Sequence, residues 1–231
     1  MSTRAIEATD GPADGTTTEA LTAEGTGAAF LRSFRAPPHR WALLVAGLAA
    51  YGLAIALMMR GGRGLGPWDL FHQGVAERTG LSVGTVSQAV GLLLLAGLWR
   101  YDRRIGAGTL LNIVLIGTFL DGFLRLLPDA ASVTVGWAMH AAGVMGIGLA
   151  TGLYLGAALG AGPRDSLMLV LHRHTGVSVR AVRTGIELVV LAVGWALGGT
   201  LGLGTVVYAL GVGPATQVGL RLFAPALVTK R

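Results

Sequence analysis

Gly64-Leu65-Gly66-Pro67-Trp68-Asp69 decides the fold, because the chain repeats it as Gly160-Ala161-Gly162-Pro163-Arg164-Asp165, displaced by 96 residues. The same offset relates Thr79-Gly80-Leu81-Ser82-Val83 to Thr175-Gly176-Val177-Ser178-Val179. A constant offset without gaps is the signature of an internal duplication. We therefore analyse the chain as two copies of one unit, with Asp69 and Asp165 at equivalent positions.

The composition predicts an integral membrane protein. Hydrophobic residues make up 52% of the 231 residues, charged residues only 13%, and the mean hydropathy is +0.63. A soluble domain carries about 25% charged residues, so this chain lacks the polar surface of a water-exposed globule. Cysteine is absent, which excludes disulfides, thiolate metal sites and cysteine nucleophiles. The net charge of +6 comes from arginines beside apolar runs, so we expect the lipid bilayer as partner and no nucleic acid.

The pattern predicts an all-α membrane protein with six transmembrane helices. A helix needs about 20 apolar residues to cross a bilayer. The six predicted spans are 41–59, 83–99, 107–127, 133–157, 179–197 and 203–222. Two further helices, 68–79 and 164–175, are too short to cross. They follow the two glycine loops, so each copy has three long helices and one short helix.

The predicted domain organisation follows the repeat. Residues 1–36 are polar and acidic without an apolar period, which indicates a disordered cytoplasmic tail. Repeat 1 then occupies 37–127 and repeat 2 occupies 128–231. Ser82 and Ser178 are predicted N-caps of the second and fifth spans, each preceded by a glycine suited to ending the short helix.

The arginines predict that the second copy is inverted. Three crossings per copy is an odd number, so the copies enter the membrane from opposite sides. With the N-terminus in the cytoplasm, the inner segments hold fourteen of the eighteen Lys and Arg residues and the outer segments hold four. This positive-inside bias places the protein in a bacterial plasma membrane, multi-pass, with both termini cytoplasmic.

The repeated motifs are similar to those of a known family. Three motifs occur twice within residues 40–222: the GxGPxD loop, the TGxSxG/R stretch and the WxxxxxxGxGT connection. The connection ends in Gly106-Ala107-Gly108-Thr109 in the first copy and in Gly202-Leu203-Gly204-Thr205 in the second. Together they resemble the YczE/YyaS/YitT family of bacterial integral membrane proteins, most closely its YczE-like branch. The resemblance implies a polytopic membrane fold and adds no catalytic signature.

The glycine loops supply the first candidate site. Pro67 and Pro163 suit the first position of a short helix, which puts Asp69 and Asp165 in its first turn, where the helix dipole stabilises a carboxylate. One interpretation is a pair of caps on two surface helices. The other is a solute or ion site at the bilayer midplane, where broken helices of inverted-repeat transporters face the solute. In that case Gly66 and Gly162 let the backbone approach a ligand, and the carboxylates bind a cation, proton or amine.

Other polar residues within the predicted spans are secondary candidates. Glu187 has Gly91 as its counterpart and has Arg183 one turn away, so it is either half of a buried ion pair or a proton- or substrate-coupled carboxylate. Asp121 is expected to pair with Arg125. Interhelical hydrogen bonds are expected for the remaining intramembrane polar groups, which are Asn112, Gln88 and His140. His140 is also suited to proton relay.

A row of small residues is predicted to pack helices together. Gly148, Gly152, Gly156 and Gly160 recur every four residues, and Gly52, Ala56 and Gly64 echo them in the first span. Such a stripe permits close helix approach, which we expect within the chain, while a homo-oligomer stays open.

The motifs do not indicate an enzyme, a metal site or a cofactor. The sequence contains no HExxH, GxSxG or Walker loop, and His172 and His174 project about 200° apart on a helix. The architecture instead favours transport of a small solute or ion by alternating access, with Asp69, Asp165 and Glu187 near a central site. The alternative is a non-transporting membrane protein that assists assembly or regulation of a partner.

Overall fold

The structure, a computed structural model, describes residues 34–99, 101, 106–160 and 162–225, and all regular structure within them is helical. The helices are α1 (Pro38–Gly61), α2 (Pro67–Thr79), α3 (Val83–Leu98), α4 (Ala107–Leu126), α5 (Val133–Gly156), α6 (Pro163–Thr175), α7 (Val179–Ala196) and α8 (Leu203–Phe223). The all-α prediction is confirmed. The predicted tail, 1–36, lies outside the described residues except for its last three.

The helix ends follow the predicted local signals. The Ser82 hydroxyl accepts a hydrogen bond from the Thr85 N–H at 3.2 Å, and Ser178 caps α7 in the same way. Pro67 and Pro163 occupy the first helical positions of α2 and α6. Both short helices end at a glycine in the left-handed conformation, which closes the last turn without steric cost. The predicted caps and short helices are therefore confirmed.

The described helices include four that are long and apolar enough to cross a membrane, namely α1, α4, α5 and α8. A fifth candidate is the pair α2 and α3, which meet at a bend of 112°. At a rise of about 1.5 Å per residue, the 16 residues of α3 fall short of a hydrocarbon core about 30 Å thick. Helix α7 carries three charged residues, Arg180, Arg183 and Glu187. The structure thus supports a membrane protein with four or five candidate spans.

Helices α1 and α5 form the centre of the bundle and run antiparallel. Gly61 at the end of α1 lies against Gly136 near the start of α5, whereas Gly47 lies against Tyr154 at the far end. Each of these glycines leaves no room for a β-carbon. The two helices therefore approach backbone to backbone, as small residues allow.

Helix α8 runs parallel to α5 along the predicted glycine stripe. Gly148 packs on Ala215, Gly152 on Gly219 and Gly156 on Phe223. The prediction of packing within the chain is confirmed for these three glycines. Gly160 differs, because it lies beyond the end of α5 with φ +134°.

Helix α4 packs on α1 in the same parallel sense. Gly52 lies against Phe119 and Leu120, and the Arg60 guanidinium farther along α1 donates to the carbonyl oxygen of Leu124. Arg60 also forms an ion pair with Asp129 at 2.8 Å. The pairing of α1 with α4 in the first copy thus matches the pairing of α5 with α8 in the second.

Each glycine loop packs against the other copy. The Gly204 N–H donates to the carbonyl oxygen of Arg63 at 2.7 Å, and a β-carbon on Gly64 would lie 2.8 Å from the Thr205 nitrogen. In the equivalent contact, the Gly108 N–H donates to the carbonyl oxygen of Leu159 at 3.0 Å. The repeated GxGT stretches are therefore the helix starts that receive the opposite glycine loops.

The short helices also cross between copies. Helix α2 packs on α7, and the Arg78 Nε donates to the Leu197 carbonyl oxygen at 3.0 Å. Helix α6 packs on α3, and near their ends the rings of Tyr101 and His174 lie 5.3 Å apart. This exchange brings the first turns of α2 and α6 into the interior.

Candidate functional site

Asp69 and Asp165 lie within electrostatic range of one guanidinium, that of Arg164, and neither is at ion-pair distance from it. Asp69 is 4% exposed in the first turn of α2, and Asp165 is half-buried in the first turn of α6. Both carboxylates interact electrostatically with Arg164, which directly precedes Asp165. Burying a carboxylate is costly unless a cation or hydrogen-bond donor faces it, so Arg164 stabilises both. The two copies thus contribute to one charged cluster.

Arg164 is held in place by Trp68. Its Cζ lies 4.9 Å from the centroid of the Trp68 ring, within the range of a cation–π interaction. Trp68 and Arg164 are equivalent residues of the two copies. Contact between equivalent residues brings the starts of α2 and α6 together.

Three tyrosines from the long helices surround the carboxylates. Tyr51 of α1 and Tyr154 of α5 meet edge to face with ring centroids 6.3 Å apart. The Tyr154 hydroxyl donates to Asp165 Oδ2 over a long 3.5 Å. Tyr208 of α8 packs on the first glycine loop, where a β-carbon on Gly66 would lie 2.6 Å from its Cζ. Tyr51 and Tyr208 both interact electrostatically with Asp69.

A cavity of about 90 Å³ opens beside Asp165. Its volume corresponds to about three water molecules at roughly 30 Å³ each. Hydroxyl, amide, carboxylate and guanidinium groups share the wall with apolar side chains. The lining residues are Tyr51, Ser87, Gly91, Asn112, Ile113, Ile116, Tyr154, Gly162, Pro163, Arg164 and Asp165. Of the predicted site residues, Gly162, Pro163, Asp165 and Asn112 line this cavity.

Gly66, Pro67 and Asp69 belong to the other glycine loop and the start of α2. Asp69 is joined to the cavity through Arg164 and Tyr51, with which it interacts electrostatically. It has no place in the cavity wall itself. Asp69 therefore influences the cavity through charge, whereas Asp165 is open to a ligand there.

Glu187 forms an ion pair with Arg183 at 2.8 Å. Both residues lie in α7, so the pair does not lock two helices together. Glu187 also interacts electrostatically with Tyr208, and Arg183 with Asp165. The pair thus lies beside the cluster, on the side of Tyr208, and does not line the cavity.

Asp121 caps a helix and does not form the expected ion pair. It accepts hydrogen bonds from the Ser82 hydroxyl at 2.5 Å and from the Gly84 N–H at 2.8 Å, at the start of α3. Arg125 is not within ion-pair distance of it. The prediction was wrong because helix spacing alone does not include the orphan N–H groups of a neighbouring helix.

The other secondary candidates are distributed through the bundle. Gln88 donates from Nε2 to the carbonyl oxygen of Val114 at 2.8 Å, which ties α3 to α4 as an interhelical hydrogen bond. His140 is fully buried in α5 against the start of α8, where a β-carbon on Gly204 would lie 2.8 Å from its Cε1. Neither residue lines the cavity.

Sequence reasoning missed Arg164 and the three tyrosines as members of the cluster. Tyrosine and arginine are common near membrane–water interfaces, so their residue types alone did not indicate a binding site. A comparison of equivalent positions does give a signal, because Arg164 replaces Trp68 and Tyr208 replaces Asn112. These are two of the positions at which the two halves of the site differ.

No group of three or more His, Asp or Glu side chains in the described part of the chain could hold a metal ion. The acidic groups of the cluster come singly from separate helices, each beside Arg164 or Arg183. The site can thus hold a small polar or charged molecule by hydrogen bonds and charge.

Comparison with known proteins covers the whole helical region. The family of unknown function DUF6198 matches residues 38–221. The chain is 40% identical over 175 residues to the "Uncharacterized membrane protein YczE" of Bacillus subtilis, covering 74% of this chain and 80% of that protein. It is 33% identical over 183 residues to an "Uncharacterized protein" of Haemophilus influenzae, covering 79% and 84%. No solved structure matches. The matched region contains both glycine loops and the cavity.

Proposed function

The chain belongs to the DUF6198 family and is a YczE-like membrane protein, and we propose that it is a permease for a small solute or ion. In this proposal the charged cluster around Asp69, Asp165 and Arg164 is the central site, and access to it alternates between the two membrane faces. Glu187, which lies beside Tyr208, contributes to the electrostatic potential of the cluster.

The helix directions support an inverted repeat as the basis of the mechanism. Helix α1 runs antiparallel to its counterpart α5, and α4 and α8 each run parallel to the long helix of their own copy. Each of these first-copy helices therefore runs opposite to its counterpart. The arginine distribution, fourteen inner against four outer, favours the same arrangement with six crossings. In it α3 and α7 are the two shortest spans.

The contact between Trp68 and Arg164 supports a site at membrane depth. Equivalent residues that touch each other must lie close to the pseudo-twofold axis that relates the copies. In an inverted repeat this axis lies in the plane of the membrane, and substrate sites lie near the midplane at the repeat interface. Asp69 and Asp165, adjacent to this contact, are then deep in the bilayer.

The observation that carries the proposal is the electrostatic interaction of both aspartates with one guanidinium beside a cavity. Carboxylates that only cap two surface helices have no reason to share a cation. Intramembrane charges are rare and typically mark the pathway of a substrate or ion. A pseudo-symmetric charged cluster at a repeat interface is thus best explained as a solute site.

The reciprocal packing of the loops suggests how access alternates. Each glycine loop is bound to the helix start of the opposite copy, through Arg63 with Gly204 and through Leu159 with Gly108. When one copy rocks against the other, its helix start therefore moves the glycine loop of the other copy with it. Such rocking opens the cluster first to one side and then to the other.

Transport currents test the proposal. Purified protein in proteoliposomes on a solid-supported membrane is screened against a panel of cations, amines, amino acids and small anions. We expect a saturable current for one class, reduced at least tenfold by Asp69→Asn and by Asp165→Asn. Glu77→Gln, which changes an exposed carboxylate in α2, serves as the matched control and leaves the current unchanged.

Two results would contradict permease function. One is the absence of current for every solute in protein that is folded and correctly inserted. The other is a current that both asparagine variants leave at the wild-type level. Either result would favour the alternative, a membrane protein that assists assembly or regulation of a partner.

A further inference from the structure

We propose that the ligand site is one-sided and takes a small protonated amine, bound beside Asp165 in a cavity that exists because the two copies differ in three side chains. The inference deepens the proposed permease function and relies on it only for the ligand's passage through the membrane.

The three differences follow from the repeat offset. Ser87, Gly91 and Asn112 line the cavity, and their counterparts in the second copy are Arg183, Glu187 and Tyr208. Each counterpart is much larger. In the half of the molecule around Asp69, the Tyr208 ring therefore lies against the glycine loop and the Arg183–Glu187 ion pair lies beside Tyr208, whereas small residues line the cavity beside Asp165.

The space around the two glycine loops shows the same difference between the copies. Gly66 and Gly162 have the same backbone conformation, with φ of −64° and −66°. A β-carbon on Gly66 would collide with the Tyr208 ring at 2.6 Å, whereas on Gly162 its nearest neighbour would be Asn112 Oδ1 at 3.6 Å. The loop at Asp69 is thus covered, and the loop at Asp165 leaves room for a β-carbon in ordinary van der Waals contact.

The charge of the cluster selects a cation. Asp69 and Asp165 each interact electrostatically with Arg164, and the three groups sum to one negative charge when both carboxylates are ionised. The Arg183–Glu187 pair is neutral as a whole. One bound monovalent cation therefore balances the site, and the Asp165 carboxylate at the cavity wall is its direct partner.

The walls favour an amine over a metal ion. Oxygen acceptors come from Asp165, Tyr154 and Asn112, which suits the N–H donors of an ammonium group. The rings of Tyr51 and Tyr154 add aromatic faces of the kind that bind ammonium ions. Hard metal cations require oxygen ligands on all sides, which the apolar Ile113 and Ile116 do not provide.

The volume limits the size of the amine. A drug-sized ligand needs roughly 300–1,000 Å³. The cavity of about 90 Å³ admits ammonium or a short primary alkylammonium ion. Methylammonium is therefore the probe of choice.

Binding of methylammonium tests the inference. Titration calorimetry on the full chain in nanodiscs compares methylammonium chloride with sodium chloride at equal ionic strength. We expect saturable binding of methylammonium only. Asn112→Tyr, which introduces the residue of the other copy, and Asp165→Asn, which removes the charge at constant size, each weaken binding at least tenfold. Glu77→Gln, which changes an exposed carboxylate of α2 away from the cavity, is the control and leaves binding unchanged.

Contrary outcomes are distinct. Undiminished binding in Asp165→Asn, equal losses in Glu77→Gln and Asp165→Asn, or no preference for methylammonium over sodium would each overturn the one-sided amine site. Asp165→Asn keeps the test valid if Asn112→Tyr does not fold. Binding without any transport current would overturn the permease proposal alone. Wild-type currents in a folded Asn112→Tyr protein would overturn this inference and leave the permease proposal standing.

Discussion

At the scale of single residues, one substitution has opposite consequences in the two glycine loops. Gly66→Ala would drive a methyl group into the Tyr208 ring, whereas Gly162→Ala would place it in the cavity. Overpacking costs about 1–3 kcal/mol, whereas a substitution that makes only ordinary van der Waals contacts stays within about 0.5 kcal/mol. We expect thermal unfolding in detergent to show a clear drop in midpoint for Gly66→Ala and almost none for Gly162→Ala.

The backbone cannot account for that difference, because both glycines have extended φ and ψ values that alanine also adopts. Equal destabilisation by the two substitutions would contradict the asymmetry of the site. Gly66→Ala combined with Tyr208→Ala provides the control, since removing the ring restores the room for the methyl group. Recovery in this double variant would assign the loss of stability to the single contact.

The two aspartates show what the sequence could and could not predict about individual residues. Their location in the first turn of a helix after Pro67 and Pro163 was predictable, because it depends on residues adjacent in the chain. Their shared partner was not predictable, because Arg164 reaches Asp69 only once α2 and α6 meet across the copies. The capping role of Asp121 was missed for the same reason, since its donors lie 37 and 39 residues away.

At the scale of the elements, helix bounds were predictable and helix partners were not. The predicted span 179–197 became α7, Val179–Ala196, because an apolar run with a serine cap is a local signal. The exchange that packs α2 on α7 and α6 on α3 depends on long-range contacts. Nothing in the hydropathy of α2 distinguishes a surface helix from one that enters the bundle.

The exchanged loops give a prediction about the elements. Gly64 and Gly160 have φ of +120° and +134°, and a β-carbon on either would meet the Thr205 nitrogen or the Thr109 hydroxyl within 2.8 Å. Gly64→Ala and Gly160→Ala therefore combine backbone strain, about 1–3 kcal/mol, with a clash at the opposite helix start. We expect both variants to unfold at much lower temperature than the wild type.

Gly62→Ala is the matched control for these loops. Gly62 also has positive φ, +62°, but a β-carbon there would meet nothing within 4 Å. Gly62→Ala should lower the free energy of unfolding by about 1–2 kcal/mol, which is the cost of placing alanine in the left-handed backbone conformation. If all three alanine variants lost the same stability, the loops would not be anchored in the opposite copy.

At the scale of the whole molecule, the structure combines a symmetric scaffold with an asymmetric interior. The glycine loops, the serine caps of α3 and α7 and the starts of α2, α3 and α4 repeat at the offset of 96 residues, whereas Asn112 and Tyr208, or Gly91 and Glu187, do not match. Symmetry provides two related arrangements of the same helices, which alternating access requires. The mismatched side chains leave room beside Gly162 and fill it beside Gly66, which is the basis of the proposed one-sided ligand site.

The final prediction concerns the orientation of the two copies in the membrane. Glu77 and Arg173 are equivalent and exposed residues near the ends of α2 and α6. The end of α2 contacts the end of α7 through Arg78 and Leu197, and the end of α6 lies beside Tyr101 after α3. In an inverted repeat with a cytoplasmic N-terminus, Glu77 therefore faces the periplasm and Arg173 the cytoplasm. The chain contains no cysteine, so Glu77→Cys and Arg173→Cys each introduce a unique thiol.

A membrane-impermeant maleimide applied to intact cells should label the thiol of Glu77→Cys and spare that of Arg173→Cys. Permeabilised cells should show labelling of both, which controls for the reactivity of the two thiols. Labelling of both variants in intact cells, or of neither, would contradict the inverted repeat. Labelling of Arg173→Cys alone would keep the inversion but reverse the orientation, so the positive-inside assignment of the fourteen inner charges would be wrong.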